Sequence, residues 1–355
     1  MAIDSFVAGG AQRQLILLDK YLSEYKHDVR FLIHNDKNFY EIPLDKIAHV
    51  KRGRLRRLGL YPSYVSKIIN EKPDVIIAYG LNSALLCELS KIFVKFHLVV
   101  SERNLKPNSS FWLLHIRRLL HFLLADVIFV NSNAQLVDLN MKYPFLKVKL
   151  VKNTLSPEKY TYKKLPKETL PSELRVLGVG KYLSQKNILF LIDVISQLTK
   201  RFPTQKVLLR WFGDLDGKEK NEYFNKCVRK LDKKGIVSEV TFSAPTKDLS
   251  SQYRWASVFV LPSFSEGTPN VALEAMSAGL PICLSNVSDN NLLVNSGING
   301  YLLGTSCTDD WVDALIAISR WNTQKYQSCQ IENQEILNKF YGEQNLELIS
   351  NMIEK

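Results

Sequence analysis

The sequence predicts an α/β protein built from two doubly wound domains. Short apolar runs alternate with amphipathic stretches along most of the 355 residues, and this alternation is typical of parallel βαβ units. It stops between Leu155 and Glu173, where three prolines and several lysines follow one another without a period, and then restarts. We therefore predict a first domain over residues 1–160, a linker over 161–173 and a second domain over 174–342, with a cleft between the domains.

The first domain shows five apolar runs and five stretches with helical periodicity. The predicted strands are Val29–His34, Val75–Ala78, His97–Ser101, Asp126–Asn131 and Val148–Lys152, and the predicted helices are Ala11–Tyr25, Ser63–Asn70, Ser83–Phe93, Phe111–Leu124 and Asn133–Lys142. A doubly wound domain normally opens with a buried strand, but only Ala2 and Ile3 precede the turn at Asp4–Gly10. Either the first strand is very short or its beginning is missing from the sequence, and we favour the second interpretation.

The second domain repeats the same alternation. The predicted strands are Arg175–Gly180, Lys206–Phe212, Val237–Phe242, Val258–Leu261 and Pro281–Ser285, and the predicted helices are Ile188–Arg201, Lys218–Lys234, Lys247–Ala256, Val271–Ala278 and Asp309–Arg320. A last helix, Glu343–Glu354, follows a polar stretch. It could pack on either domain, and we assign its residues 343–355 to the first.

The composition excludes several classes of protein. With 46% hydrophobic and 23% charged residues, the chain is neither disordered nor fibrous. Its five cysteines form no C-x-x-C pair, which argues against a disulfide scaffold or structural zinc and favours a reducing compartment. The first residues lack the pattern of a signal peptide, and the most apolar window, Phe111–Val130, is interrupted by five charged or histidine residues. We therefore expect a cytoplasmic protein without a membrane span.

The positive charge lies entirely in the first half of the chain. The formal net charge is +12; residues 1–170 contain 27 basic and 15 acidic side chains, and residues 171–355 contain 20 of each. An anionic partner is therefore expected on the first domain. The densest basic cluster, KRGRLRR, is Lys51–Arg57, and a second cationic and apolar stretch, FWLLHIRRLLHF, is Phe111–Phe122.

The most informative segment is FSEGTPNVALEAMSAGLP, Phe264–Pro281. Its carboxylates Glu266 and Glu274 have seven residues between them, and the segment follows the apolar run Val258–Leu261. Glu266 is therefore expected on a loop at the carboxyl end of a parallel strand, where open α/β sheets bind ligands. Glu274 falls inside the short helix that follows, where its carboxylate could accept hydrogen bonds from two vicinal hydroxyls of a sugar ring.

The start of that short helix is suited to anions. The first backbone amides of a helix have no partner within the helix and point toward its N-terminus, where phosphate or sugar oxygens can accept from them. A proline in the preceding turn fixes the entry of the chain into the helix. The amides are those of Gly267, Thr268 and Asn270, and the proline is Pro269.

This segment resembles the E-x7-E signature of the retaining GT-B glycosyltransferases of glycosyltransferase family 4. Other segments resemble the same family in the same order along the chain. They are GGAQRQLILL at Gly9–Leu18, VSERN at Val100–Asn104, VNSNA at Val130–Ala134, VKNT at Val151–Thr154, LGVGKYLSQKN at Leu177–Asn187 and WFGDLDGKE at Trp211–Glu219. The resemblance covers nearly the whole chain and implies a GT-B architecture.

The resemblance also implies residue roles. In this family the C-terminal domain binds a nucleotide sugar and the N-terminal domain binds the acceptor. The first glutamate contacts the transferred sugar and the second holds the ribose hydroxyls, roles that fall here on Glu266 and Glu274. Lys181, where the family usually has Arg, and Lys186 would stabilise the departing diphosphate. Further donor contacts are implied for Gly10, Gly180, Gly267, Thr268, Pro269 and Asn270.

Neither a metal ion nor another cofactor is expected beyond the nucleotide-sugar co-substrate, a UDP- or GDP-sugar. Asp214-Leu215-Asp216 has the spelling of a D-x-D metal site, but it lies in the turn that matches the family's glycine-rich one, and we do not assign it. In the first domain Arg103 is expected to contact acceptor phosphate or donor. Glu102 is expected to share that role or to pair with Arg103. The nearby His115 and His121 are expected to be packing or interface residues.

Three explanations of the basic excess stay open, and we favour the first. Cations interleaved with Leu, Phe and Trp at Lys51–Arg57 and Phe111–Phe122 suit an anionic membrane surface and a lipid-linked acceptor. A solvated basic face is the second explanation. Nucleic acid is the third, but no nucleic-acid-binding motif accompanies the charge, so no nucleic-acid partner is expected.

The function that follows is retaining transfer of a sugar from a nucleotide diphosphate sugar to a hydroxyl of a glycan or lipid-linked oligosaccharide. We expect this in surface polysaccharide biosynthesis, peripherally on the inner face of the plasma membrane. Two alternatives remain. One is a nucleotide-sugar 2-epimerase of the same fold. The other is a non-catalytic nucleotide-sugar binding protein.

Overall fold

The protein forms two compact units, each built on parallel β-structure. The computed structural model describes residues 1–50, 60–103, 111–155, 173–215 and 217–354. The first unit comprises Met1–Thr154 with Glu343–Lys355, and the second comprises Leu155–Gly342. The prediction of two doubly wound α/β domains is confirmed.

The described residues of the first unit form six strands, which pair in parallel. They are β1 (Phe31–Ile33), β2 (Ile47–His49), β3 (Val75–Tyr79), β4 (His97–Glu102), β5 (Val127–Val130) and β6 (Val148–Leu150). Strand β1 pairs with β2, and the others pair in the order β3-β4-β5-β6. The helices are α1 (Gly10–Glu24), α2 (Leu60–Glu71), α3 (Leu81–Ser90), α4 (Phe111–Leu124) and α5 (Asn133–Lys142).

Met1–Ile3 fill the position between β1 and β3. Ala2 forms parallel bridges to Leu32 and to Ala78 and is fully buried. Its amide donates to the Ile77 carbonyl at 2.9 Å, and the Ile3 amide donates to the Leu32 carbonyl at 3.0 Å. These residues thus occupy the place of a first strand, although only Ala2 is bridged on both sides. So short a segment has no detectable apolar periodicity.

Six parallel strands lie in the part of the second unit that the structure describes. They are β7 (Glu173–Val179), β8 (Lys206–Phe212), β9 (Val240–Ser243), β10 (Val258–Leu261), β11 (Ile282–Ser285) and β12 (Gly300–Leu303), in the order β12-β11-β10-β7-β8-β9. The helices are α6 (Ile188–Arg201), α7 (Lys218–Lys234), α8 (Leu249–Trp255), α9 (Asn270–Ser277), α10 (Thr308–Ser319) and α11 (Thr323–Tyr341). The chain adds strands on one side of β7 and then on the other, so the order reverses between β7 and β10.

Three elements were not expected: β2, β12 and α11. The sequence of α11 lacks an apolar stripe because its buried face, one residue per turn, is Cys329, Asn333, Leu337 and Tyr341. Asn333 accepts a hydrogen bond from the Asn299 side chain and donates one to the Leu280 carbonyl, both at 3.0 Å. Because a polar residue, Asn333, interrupts the buried apolar residues Cys329, Leu337 and Tyr341, the apolar periodicity is too weak to predict this helix from the sequence.

The last helix, α12 (Gln344–Ile353), belongs to the first unit, where it packs on α1. Its buried Leu346 and Ile349 join the apolar core that contains Leu18 and Leu22. None of the helices in the described ranges is long and apolar enough to cross a bilayer.

Candidate functional site

The candidate site lies in the second unit, where the strand order reverses. The loop after β7 contains Lys181 and Lys186, and the loop after β10 contains Glu266. Reversal points of this kind form crevices at the carboxyl ends of strands, where open α/β sheets bind ligands. Two hydrogen bonds join the loops. The Phe264 amide donates to the Gln185 carbonyl at 2.8 Å, and the Gln185 side-chain amide donates to the Ser265 carbonyl at 2.6 Å.

Lys186 and Glu266 form an ion pair across this junction. The Lys186 Nζ lies 2.5 Å from Glu266 Oε1, and the side chains are 16% and 9% exposed. Gly180 permits this arrangement, because a Cβ at that position would lie 3.1 Å from Cδ and from Cε of Lys186. The sequence placed both charges at the site but did not predict that they bind each other.

Lys181 adds to the positive potential of the same loop. Its side chain reaches solvent, yet desolvation by the surrounding protein and the neighbouring ammonium of Lys220 lower its pKa, with Asp214 opposing them. Lys220, on α7, is ion-paired with Asp214. Sequence reasoning missed Lys220, whose only signal is its position in the first turn of a helix. Asp216 lies outside the described residues, so the D-x-D spelling is not tested as a pair.

The second glutamate of the motif is buried inside α9. Glu274 is 2% exposed, and its Oε2 accepts a hydrogen bond from the Tyr253 hydroxyl at 2.8 Å. It is therefore not a solvated helix residue. Pro269 precedes α9 as N-cap without a side-chain hydrogen bond to the helix, and Thr268 is buried beside it. Tyr253, which fixes the carboxylate, was not predicted from the sequence.

In the first unit, Arg103 is held at the end of β4. Its Nε donates to Ser101 Oγ at 2.9 Å, its Nη2 donates to the Tyr79 hydroxyl at 2.7 Å, and its Nη1 donates to Asn153. The guanidinium also stacks 4.6 Å from the centre of the Tyr79 ring. Within the described part of the chain these partners are all neutral, so they orient the guanidinium without cancelling its charge. Gly10 begins α1.

Glu102 does not pair with Arg103. Both of its oxygens are engaged by buried cations of α4: Arg118 Nη2 lies 2.9 Å from Oε2, and His121 Nε2 lies 2.9 Å from Oε1. His121 Nδ1 contacts Glu88 on its other side. The structure therefore makes Glu102 part of a buried charge network, and His121 and Arg118 are internal rather than available to a partner.

These contacts shift two pKa values in opposite directions. Burial alone would raise the pKa of Glu102, but hydrogen bonds from His121 and Arg118 outweigh burial and lower it to about 2. Burial would lower the pKa of His121, but its hydrogen bonds with Glu102 and Glu88 raise it. The network is consequently stable in its charged form.

Curated proteins with similar sequences are glycosyltransferases. An uncharacterized glycosyltransferase of Haemophilus influenzae is 33% identical over 164 residues, 46% of this chain and 42% of its own. A D-inositol 3-phosphate glycosyltransferase of Paenarthrobacter aurescens is 31% identical over 147 residues, 41% and 35% of the two chains. A UDP-Gal:alpha-D-GlcNAc-diphosphoundecaprenol alpha-1,3-galactosyltransferase of Escherichia coli is 39% identical over 72 residues, 20% and 19%. The chain thus spans less than half the length of each of these relatives.

Solved structures extend the likeness of the fold to the whole chain. Anabaena Alr3699/HepE, solved with UDP and glucose, superposes with a TM-score of 0.85 at 18% identity, covering 100% of this chain and 98% of its own. Sucrose-phosphate synthase from Thermosynechococcus elongatus gives 0.80 at 18% identity, covering 99% and 94%. Residues 173–320 match the family "Glycosyl transferases group 1". The chain therefore resembles the group 1 glycosyltransferases over residues 173–320, and its two Rossmann-like domains share the GT-B fold of the solved structures.

Proposed function

We propose that this protein is a retaining glycosyltransferase that takes a sugar from a nucleotide diphosphate sugar. The observation that carries the proposal is the Lys186–Glu266 pair at the strand-order reversal, next to the N-terminus of α9. Such a site offers cations and helix amides to a diphosphate and carboxylates to sugar hydroxyls. UDP is our first choice of nucleotide, because Anabaena Alr3699/HepE was solved with UDP and with UDP-glucose.

When the donor binds, the Lys186–Glu266 ion pair would be replaced by new contacts with the donor. A diphosphate carries more charge than a carboxylate, so Lys186 would turn from Glu266 to the diphosphate. Glu266 would then accept hydrogen bonds from the transferred sugar, while Glu274, oriented by Tyr253, holds the ribose hydroxyls. Lys181 and Lys186 would stabilise the charge that develops on the leaving group, where a preorganised cation contributes most.

The transfer step that we propose is a same-face displacement. The bond between the anomeric carbon and the diphosphate oxygen breaks, and the acceptor oxygen bonds to that carbon on the face from which the diphosphate leaves. The acceptor proton passes to the departing diphosphate oxygen. No covalent intermediate on the enzyme is needed, and the configuration at the anomeric carbon is retained.

For the acceptor we propose a hydroxyl of a glycan or lipid-linked oligosaccharide in surface polysaccharide biosynthesis, met at the inner face of the plasma membrane. The basic excess of residues 1–170 suits an acceptor that carries phosphate. So does the guanidinium of Arg103, whose hydrogen bonds at the end of β4 go to neutral groups. The name of the Escherichia coli relative specifies a diphosphoundecaprenol-linked acceptor. The cluster Lys51–Arg57, predicted to contact the membrane, lies outside the described residues.

A donor screen tests the proposal. The full chain is incubated with UDP- and GDP-sugars, with and without membrane extract, and products are identified by mass spectrometry. Transfer that requires the extract and leaves an α-linked product from an α-linked donor is the expected result. Conversion of the donor without any acceptor would indicate a 2-epimerase. A rise in melting temperature with UDP but no turnover of any donor would indicate a binding protein.

A further inference from the structure

Helix α4 has the reverse of the usual distribution of side chains. Its buried face carries Arg118 and His121, which are 4% and 1% exposed. Its outer face carries Ile116, Leu119, Phe122 and Leu123, which are 56%, 54%, 51% and 62% exposed. A helix on the surface of a domain normally turns its apolar stripe to the core. Here the inward charges form ion pairs with Glu88 and Glu102, which fixes the orientation of α4 and keeps its apolar residues on the outer face.

Further exposed apolar residues lie on α5 and in the segment after it. Val137 and Met141 lie one turn apart on the outer side of α5 and are 55% and 79% exposed. Phe145, 47% exposed, contacts Phe122 edge-on with ring centres 5.2 Å apart. Single exposed apolar residues are ordinary, but seven within residues 116–145, with a ring contact between α4 and the segment after α5, are typical of an interaction site. We call it the α4–α5 surface: Ile116, Leu119, Phe122, Leu123, Val137, Met141 and Phe145.

Exposed lysines border this surface. Lys147 and Lys149 follow Phe145 within four residues, and Lys142 follows Met141; Lys142 pairs with the exposed Asp138 at 2.6 Å. Apolar side chains flanked by cations match a bilayer interface, where the chains enter the acyl boundary and the lysines meet lipid phosphates. A second copy of this chain would instead bring the same lysines face to face, which opposes self-association.

We propose that the α4–α5 surface docks the protein on an anionic phospholipid bilayer. The role of this docking rests on the proposed function, because binding to the bilayer would hold the enzyme next to a lipid-linked acceptor. The cations of Phe111–Phe122 were expected to make this contact, but Arg118 and His121 are turned inward. The apolar contribution comes from α4 and the charge comes from the lysines after α5.

The test is sedimentation of the full chain with vesicles of phosphatidylglycerol and phosphatidylcholine, and with vesicles of phosphatidylcholine alone. Phe122→Ser combined with Leu123→Ser should lower the partition coefficient on the anionic vesicles by roughly tenfold or more, because two large apolar side chains no longer leave water. The matched control is Ile331→Ser, which removes a 61% exposed apolar side chain from α11 of the second unit and should leave binding unchanged.

A charge variant separates lipid from other partners. Lys147→Glu with Lys149→Glu should reduce binding to anionic vesicles and leave the weaker binding to phosphatidylcholine as it was. Equal vesicle binding by wild type and the Phe122/Leu123 variant would overturn the proposal. So would a wild-type dimer that the same variant converts to a monomer, since the surface would then join two copies. Transfer to a water-soluble acceptor and the UDP-dependent melting shift report on the proposed function separately, and neither should change in these variants.

Discussion

Replacing Lys186 should lower both the rate of sugar transfer and the stability of the fold, for different reasons. Replacing it with alanine removes the cation from the diphosphate and should lower transfer by about 100-fold or more, as for other preorganised charges at a leaving group. The same change leaves Glu266 without its partner in a largely buried position, which should cost about 1–3 kcal/mol of stability. The measurement is turnover together with urea unfolding.

A double variant isolates the two effects of that change. Lys186→Ala combined with Glu266→Gln removes the stranded carboxylate charge, so stability should recover toward wild type while transfer stays low. Recovery of transfer in the double variant would show that Lys186 acts only by neutralising Glu266, and our assignment would be wrong.

Gln185 is a positioning residue for the same pair. Its carbonyl and side-chain amide hold the loop after β10 at Phe264 and Ser265, the two residues before Glu266. Gln185→Ala should lower kcat by about tenfold, as expected when a reacting group is displaced slightly, while the melting temperature falls little. Gln185→Glu keeps the length but removes the donor, and should behave like the alanine variant.

The matched control for Gln185 is Gln197→Ala on α6, whose side chain donates to Asp309 on the surface. It should leave kcat unchanged. Loss of stability without loss of kcat in the Gln185 variants would reduce this residue to a structural role.

At the level of elements, the network on α3, β4 and α4 predicts how stability depends on pH. The raised pKa of His121 means that its contribution is fully present below its ordinary value of 6.5 and is lost as pH rises through the raised value. The lowered pKa of Glu102 means that its contribution is present above the ordinary 4.5 and is lost as pH falls toward about 2. Unfolding free energy measured from pH 6 upward should therefore fall in wild type.

His121→Gln should flatten that alkaline decline, because the variant side chain has no proton to lose. The charged groups that face this position are Glu88, Glu102, Arg117 and Arg118. His27→Gln, at a half-exposed histidine paired with Glu354, is the control and should keep the wild-type slope. An unchanged slope in the His121 variant would mean that the imidazole is neutral throughout.

Helices and strands were predicted correctly where the buried face is made of regularly spaced apolar residues. The prediction failed where buried polar residues hold the element in place. Strand β8 and helices α4, α6 and α7 have the expected bounds. The sequence of α4 does not show which of its faces is buried, because that is fixed by Glu88 and Glu102 on other elements. Helix α11 was missed for a related reason, since Asn333 attaches it by hydrogen bonds that no single-sequence pattern displays.

At the scale of the whole molecule, the sequence indicates two doubly wound domains but not the order of their strands. The reversal between β7 and β10 brings together loops that are about 80 residues apart in sequence. Motif resemblance placed Lys186 and Glu266 in one site; only the strand order explains why they touch. Tyr253 and Lys220 were not predicted, because neither residue lies within a segment that resembles the family.

The division of charge between the halves of the chain predicts a division of tasks. Neutralising three arginines of the first half, Arg54, Arg56 and Arg57, should weaken binding to anionic vesicles by about 1 kcal/mol per residue at low salt. Activity on a lipid-linked acceptor should fall with it. Donor binding, followed by the melting shift that UDP produces, should not change, because none of the residues proposed to bind the donor lies in this cluster.

The control for this charge change is an equal one on the neutral half. Lys226, Arg229 and Lys233 lie on α7 of the second unit, and changing all three to glutamine removes the same charge from residues 171–355. Vesicle binding should stay at the wild-type level in this control. If both triple variants lost binding equally, total charge rather than its location would govern the membrane contact. If the arginine variant lost the UDP shift instead, its basic cluster would serve the donor, and the membrane role proposed for the first half would fall to the α4–α5 surface alone.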